Sequence, residues 1–272
     1  MTRLLLLLAL LLPALPSGLA SQPARGTASG AEPRLLRFCF EETPAPPWRT
    51  RQQVGLYFEL LREAARRLDL AFVFEPQPWP FCLAEVEAGR MHGAFAVAWS
   101  PERRRIFAFP EYAPAVPADI LRTDDILLIR RRGSEVRVVD GRLLGTARPV
   151  GVLPGYAIAD DLQRLGWPVE TASRDHVVQL SRLVAGEVDA VALSAFRWKQ
   201  LQAVGGPALA RLEALPEPIL TKHYFLGLSR AFAEAHPKLA RRIWAAVREV
   251  RDGEDYRRRE AAALAEALAP RP

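Results

Sequence analysis

The residues able to do chemistry are few and scattered along the 272-residue chain. Cys39 and Cys82 are its two cysteines. An even count in a chain that opens with an export signal points to one disulfide, with two buried free thiols as the alternative. Closing the loop of 82 − 39 = 43 residues between them contributes about 4 kcal/mol in the chain-entropy view. His92, His176, His223 and His236 do not gather around the cysteines, so no zinc-type ligand set emerges, and no metal or cofactor is expected. Glu41 and Glu42 are adjacent acids that read as solvated loop residues or, alternatively, as an acid facing a ligand. No Ser-His-Asp order and no phosphate-binding glycine loop stands out.

Charge narrows the partners. Lys and Arg number 37 against 31 Asp and Glu, a net +6 that comes almost wholly from arginine. The triplets Arg103–Arg105, Arg130–Arg132 and Arg257–Arg259 form basic patches. Acidic residues are interspersed and no aromatic stripe accompanies them, so nucleic acid is not an expected partner. What remains is a mild preference for anionic ligands or surfaces.

These residues must be held by a scaffold. The N-terminus is set apart from it: Arg3, the apolar run Leu4 to Leu12 and the small-residue site Gly18-Leu19-Ala20 read as a cleavable signal peptide over 1–20. The run is too short for a membrane span, which takes about 20 residues. Residues 21–33, rich in Ala, Gly, Ser and Pro, read as a flexible leader. A periplasmic, monomeric protein is expected.

The body alternates. "LLRFCF" reads as a buried strand, broken by the prolines of "EETPAPPW". Tyr57, Leu60, Leu61, Ala64, Ala65 and Leu68 then fall on one helical face, with Arg62, Glu63, Arg66 and Arg67 opposite. "LAFVFEP" is a second strand, a helix runs from about Pro80 to Ala88, and "GAFAVAW" is a third strand. Strand, helix, strand, helix, strand implies a parallel sheet with covering helices. After "TDDILLIRRRG", a long strand, the pattern resumes: "PVGVLPGY" leads into a helix, Asp175 caps a helix over Val177 to Ala185, and "VDAVAL" is a strand. "ILTKHYFLGLS" is a further strand, Ser229 caps a short helix, Pro237 opens a longer one that Gly253 ends, and a charged helix closes the chain.

One phrase is written twice. "EAGRMHGAFAVAW" (Glu87 to Trp99) and "VAGEVDAVALSAF" (Val184 to Phe196) each read helix, glycine stop, strand. Two similar modest sheets with a cleft between them are the economical explanation, and one large sheet is the alternative.

Several segments resemble solute-binding protein family 3, the amino-acid receptors of ABC importers. Gly55-Leu56-Tyr57-Phe58-Glu59-Leu60-Leu61 looks like that family's first-helix signature. Ser100-Pro101-Glu102-Arg103 followed by Phe109, "GVLPGY" (Gly151 to Tyr156) and "AGEVDAV" (Ala185 to Val191) resemble three more of its segments, in the expected order. The resemblance implies a two-lobed α/β protein of the periplasmic-binding-protein type II fold. Each lobe is then a small, mostly parallel sheet flanked by helices, with two crossing strands as hinge near Thr123–Ile126 and Thr221–Phe225. Lobe 1 would comprise 34–124 and 222–272, and lobe 2 would comprise 125–221.

By the same resemblance Arg103 grips a ligand carboxylate, which a guanidinium fork suits. Ala98 and Ser100 would flank it, Gly155, Tyr156 and Ala157 would offer a second-lobe helix start to an anion, and Trp48 and Trp99 would form apolar walls. Departures matter as much. Ser194 stands where the family has the acid that pairs with an α-amino group. Ala96, Ala98 and Ala157 stand in place of hydroxyl residues, and Tyr57 in place of an Asp. An ammonium would lack its usual partner, and burying it unpaired is costly, unless Glu41 or Glu42 substitutes. The expected ligand is therefore a small polar, carboxylate-bearing solute rather than a standard α-amino acid. The expected role is import, with an inner-membrane permease as partner, or sensing. The alternatives are an enzyme on the same scaffold, similar to cyclohexadienyl dehydratase, and an accessory protein with a vestigial cleft.

Overall fold

The computed structural model describes residues 32–110 and 118–269. The expected signal peptide and nearly all of the leader lie outside the described residues. Among the described residues no helix is long and apolar enough to cross a membrane.

The chain runs β1 (Leu35–Glu41), α1 (Leu56–Arg67), β2 (Ala71–Gln77), α2 (Trp79–Glu87) and β3 (Gly93–Ala98). A single 3-10 turn, Arg103–Arg105, leads to the short β4 (Phe107–Ala108). Next come the ten-residue β5 (Arg122–Arg131) and a hairpin of β6 (Arg137–Val139) and β7 (Arg142–Leu144). The middle of the chain holds β8 (Val150–Gly151), α3 (Ala157–Arg164), β9 (Val169–Glu170), α4 (His176–Ala185) and β10 (Ala190–Ser194). It continues through α5 (Ala195–Val204), α6 (Pro207–Ala210) and β11 (Leu212–Ala214) to the ten-residue β12 (Leu220–Ser229). Helices α7 (Arg230–Ala235), α8 (Pro237–Asp252) and α9 (Glu254–Leu268) close it.

Two half-sheets share one ladder. The strand order is β2-β1-β3-β12-β5-β10-β8-β9, with β4 added to β12 and β11 to β5. Within each half, neighbours pair in parallel: β1 with β2 and β3, and β8 with β9 and β10. The halves join where β5 and β12 cross, Arg122 opposite Tyr224 through Ile126 opposite Leu220. Each crossing strand is long enough to serve twice. β5 pairs with β12 over its first residues and with β10 over Ile126 to Arg130, while β12 passes from β5 to β3. The two expected sheets are thus hydrogen-bonded end to end, because an extended strand that crosses between them carries its ladder with it.

Each half has its own core. In the first, α1 buries Tyr57, Phe58, Leu60, Leu61, Ala64 and Ala65, as its apolar stripe predicts. Phe58 meets Phe40, Phe74 and Phe95 edge-on, with centroids 5.1–5.3 Å apart. Each such ring buried from water contributes about 1.5–3 kcal/mol. On the outer face Glu63 takes both Arg66 and Arg67. In the second half β10 alternates: Ala190 and Ala192 pack with Val150, Ile158 and Leu162 on one side, and Val191 and Leu193 with Leu180, Leu183 and Trp198 on the other. Both faces are covered, as a strand inside a helix-flanked sheet requires.

The twice-written phrase has the expected geometry. Gly89 and Gly186 follow α2 and α4 with φ of +73° and +77°, the left-handed region that a side chain disfavours. Asp175 accepts from Val177 N and Val178 N at the start of α4, and Ser229 accepts from Phe232 N at the start of α7. Cys39 and Cys82 are joined as a disulfide, Cα–Cα 5.6 Å, tying β1 to α2.

Candidate functional site

A cavity of about 140 Å³ lies between the two halves, against the crossing strands. Both halves contribute to its walls: the loop after β1 and the end of β3 on one side, the starts of α3, α4 and α5 on the other. Its volume sets the scale of a small solute.

A local irregularity aims β3 into this space. Phe225 pairs with Val97 but Gly227 pairs with Ala94, so β3 carries one extra residue. Ala96 absorbs it at φ +56°, an uncommon conformation for a residue with a side chain. Phe95, Ala96 and Ala98 all line the cavity as a result.

Arg103 sits on the turn that follows. Its N–H donates to Ser100 Oγ at 3.2 Å, which fixes the turn. The residue is 5% exposed. The guanidinium carbon lies 5.5 Å from the Trp79 ring centroid, and Nη2 donates to the Gly155 carbonyl in the other half. Trp79 Nε1 donates to the same oxygen at 3.1 Å. Nη1 is buried with no hydrogen-bond partner. Burial brings the guanidinium pKa down to about 10, against the opposing pull of Asp160 and Glu102. Gly155 turns at φ +75°, and a Cβ there would come within 3.2–3.3 Å of Pro80 and Trp79, so the close approach that presents its carbonyl favours glycine.

Other cations converge on the cavity. Arg122, on β5, lies over Trp48 and Tyr224 at 5.1 and 4.8 Å and pairs with Asp124 at 2.6 Å. Lys222, opposite Asp124 on β12, pairs with Asp161 of α3. Arg49 donates through Nε to the Glu41 carbonyl at 2.9 Å. Arg197 lies in the first turn of α5, where its N–H donates to Ser194 Oγ at 3.2 Å; its own Nε is buried without a partner. Burial depresses the Arg197 pKa. His176, the first residue of α4, is held down to about 3, by burial first and then by Arg197. Burial raises the hydroxyls of Tyr57 and Tyr156. Among the described lining residues Glu41 is the sole acid.

The residues singled out from sequence divide. Arg103, Trp48, Ala98, Tyr156, Ala157 and Ser194 all line the cavity. Trp48 stacks on Tyr57 at 5.3 Å, and Tyr156 caps α3. Gly155 and Ser100 act behind the lining, one as acceptor for Arg103 and Trp79, the other as anchor of the Arg103 turn. Trp99 lies outside the lining; its N–H donates to the His223 carbonyl, and Trp79 supplies the wall beside Arg103. Glu42 turns away to Arg51 at 2.7 Å, and its neighbour Glu41 faces the cavity. Arg49, Arg122, Arg197, Lys222 and His176 were not foreseen. The alternation of β5 and β12 at their crossing was the one available signal for Arg122 and Lys222. Among the described residues no cluster of His, Cys, Asp or Glu suits a metal ion.

Neither a protein-family model nor a curated protein matches the sequence. Solved structures do match. A histidine kinase sensor domain with similarity to periplasmic binding proteins superposes with a TM-score of 0.67 at 18% identity, over 85% of this chain and 96% of that one. The GluR0 ligand-binding core from Nostoc punctiforme, in complex with L-glutamate, gives 0.64 at 15%, over 84% and 98%. An ancestral arginine-binding protein bound to arginine gives 0.63 at 17%, over 85% and 98%. The likeness is one of fold: the chain has the two-lobed α/β fold of the periplasmic binding proteins.

Proposed function

We propose that this chain is a divergent member of solute-binding protein family 3, and that it binds a small carboxylate-bearing solute between its lobes. The observation that carries the reading is Arg103: a guanidinium buried at the cleft with one nitrogen, Nη1, left without a partner. A buried donor of this kind costs roughly 1–3 kcal/mol unless something accepts from it, and a carboxylate fits its fork. The start of α3, at Ala157, faces the same space and adds N–H dipoles of the sign that favours an anion.

The wider reading follows the fold. The lobes comprise 34–124 with 222–272, and 125–221, hinged on β5 and β12. The ligand is held by Arg103 with Trp48, Ala98, Tyr156, Ala157 and Ser194. Export through the N-terminal signal would deliver a monomer to the periplasm, where it hands solute to a permease or presents it to a sensor. The sensor role draws support from the likeness to a histidine kinase sensor domain.

A melting-shift screen of organic acids, amino acids and short peptides tests the proposal. A bound solute stabilises by RT ln(1 + [L]/Kd), about 2.7 kcal/mol at a hundredfold excess over Kd. Carboxylates are expected to raise the melting temperature and Arg103→Ala to abolish the rise. A screen in which carboxylates shift nothing overturns it.

A further inference from the structure

The cleft carries more positive charge than one carboxylate neutralises. Arg122 is paired with Asp124 and Lys222 with Asp161. That leaves Arg49, Arg103 and Arg197 facing the cavity with Glu41. Among the described residues none of these three arginines forms an ion pair, so the lining side chains carry two more positive than negative charges, with Asp160, Glu102 and Asp175 acting on Arg103 and Arg197 from behind the lining. Excess positive charge along the lining of a cleft favours a ligand of matching negative charge.

The surplus sits in two places. Arg103 occupies one pole, against Trp79 and Gly155, with Asp160 and Glu102 as its charged neighbours. Arg49 and Arg197 form the other. Arg49 comes from the loop after β1 and is anchored on the Glu41 carbonyl, whereas Arg197 comes from α5. Asp175, at the start of α4, favours the Arg197 charge, and Arg49 across the cleft opposes it more weakly. The lobes are nonetheless drawn together beside them, where Gln200 Nε2 donates to the Pro46 carbonyl at 2.6 Å. His176, against Tyr156 at 6.2 Å, adds no compensating negative charge.

We propose that the ligand is a dicarboxylate, one carboxylate at Arg103 and the second between Arg49 and Arg197. The proposal rests on the carboxylate reading of Arg103 given above and adds the second pole. The second carboxylate bridges arginines from opposite lobes, so it relieves the repulsion that closure creates. A monocarboxylate leaves that repulsion standing. A zwitterionic amino acid adds an ammonium to an already positive space.

The test is calorimetric titration of the mature protein with succinate, glutarate and adipate, each against its chain-matched monocarboxylate: butyrate, valerate and hexanoate. At least one dicarboxylate is expected to bind about 10- to 100-fold more tightly than its partner, the worth of one charge-assisted hydrogen-bonding group. Arg49→Gln and Arg197→Gln, with melting curves to show that each folds, are expected to shrink that preference about tenfold or more. Arg103→Gln is expected to weaken both classes together. Equal binding of the two classes, or binding of monocarboxylates alone, overturns the dicarboxylate and leaves the carboxylate reading intact. Tighter binding of inorganic phosphate than of any dicarboxylate also overturns it, because one compact dianion would then suffice. Binding of neither class overturns both.

Discussion

Trp79 Nε1 lies 3.1 Å from the carbonyl oxygen of Gly155, and the Arg103 guanidinium donates to the same oxygen. One backbone acceptor in the second lobe is therefore gripped by two side chains of the first. The contact joins the two halves, and under the proposed hinged closure its strength belongs to the closed form. Trp79→Phe keeps the apolar wall and deletes the N–H. One neutral hydrogen bond is worth about 0.5–1.5 kcal/mol, so a ligand that binds the closed form should lose roughly 3- to 10-fold in affinity. Titration calorimetry on the variant checks this, and unchanged affinity would mean that closure does not depend on the contact.

Arg103 should show opposite effects on stability and binding. Burial disfavours its charge, and Nη1 has no partner. Holding a charge in a buried position without an ion-pair partner is costly, and an apolar side chain of similar length avoids that cost. Arg103→Met is thus expected to melt at or above the temperature of the unmodified protein without ligand, and to show no rise when carboxylate is added. A variant that melts well below it would show Arg103 to be a structural residue.

The fold was legible where local chemistry decides it. The stripe of α1, the Asp175 cap, the Gly186 stop and the Ser229 cap each depend on a few neighbouring residues, and each formed as read. The cleft was legible in part. Glu41 and Glu42 differ by one step along a strand end, and that step decides which faces inward. Arg49, Arg122, Arg197 and Lys222 look like solvated surface charges in sequence. They turn inward only because the crossing of β5 with β12 and the approach of α5 enclose them, a tertiary fact without a local signature. Trp79 and Trp99 are alike in composition, and only packing separates the one that lines the cavity.

Asp189, the second of the two acids in the "AGEVDAV" segment, is a structural pin. Arg131 Nη2 donates to it at 2.9 Å, and the backbone N–H groups of Ala147 and Arg148 at 2.8 and 2.7 Å, fixing the chain that enters β8. Burial alone would raise its pKa; the Arg131 bond and the two N–H groups outweigh that and hold it below the usual carboxylate range. A depressed folded-state pKa gives stability that is complete above the unfolded value, about 3.9, and is lost as pH falls through the folded one. Asp189→Asn is expected to cost about 3 kcal/mol near neutral pH, because it leaves Arg131 half-buried and unpaired. It should also flatten the acid limb of the stability curve. Urea melts of both proteins between about pH 2 and about pH 7 measure this.

His176 predicts a second, separate pH window. Its folded pKa of about 3 lies below the ordinary 6.5, from burial first and then from Arg197. The unfolded chain therefore takes up a proton that the folded protein refuses. The stability due to neutral His176 is complete above about pH 6.5 and declines as pH falls toward the folded value. His176→Gln should remove that decline between about pH 6.5 and about pH 4 while leaving the Asp189 limb below it. Because His176 stays neutral through the same range, carboxylate affinity should not rise as pH falls from about 8 to about 5, and should weaken toward the lower end as the ligand's own carboxylates take up protons. An affinity that climbs as pH drops through about 6 would show that the imidazole gains its proton in the bound state, and that the ligand's negative charge reaches α4 as well as the arginines.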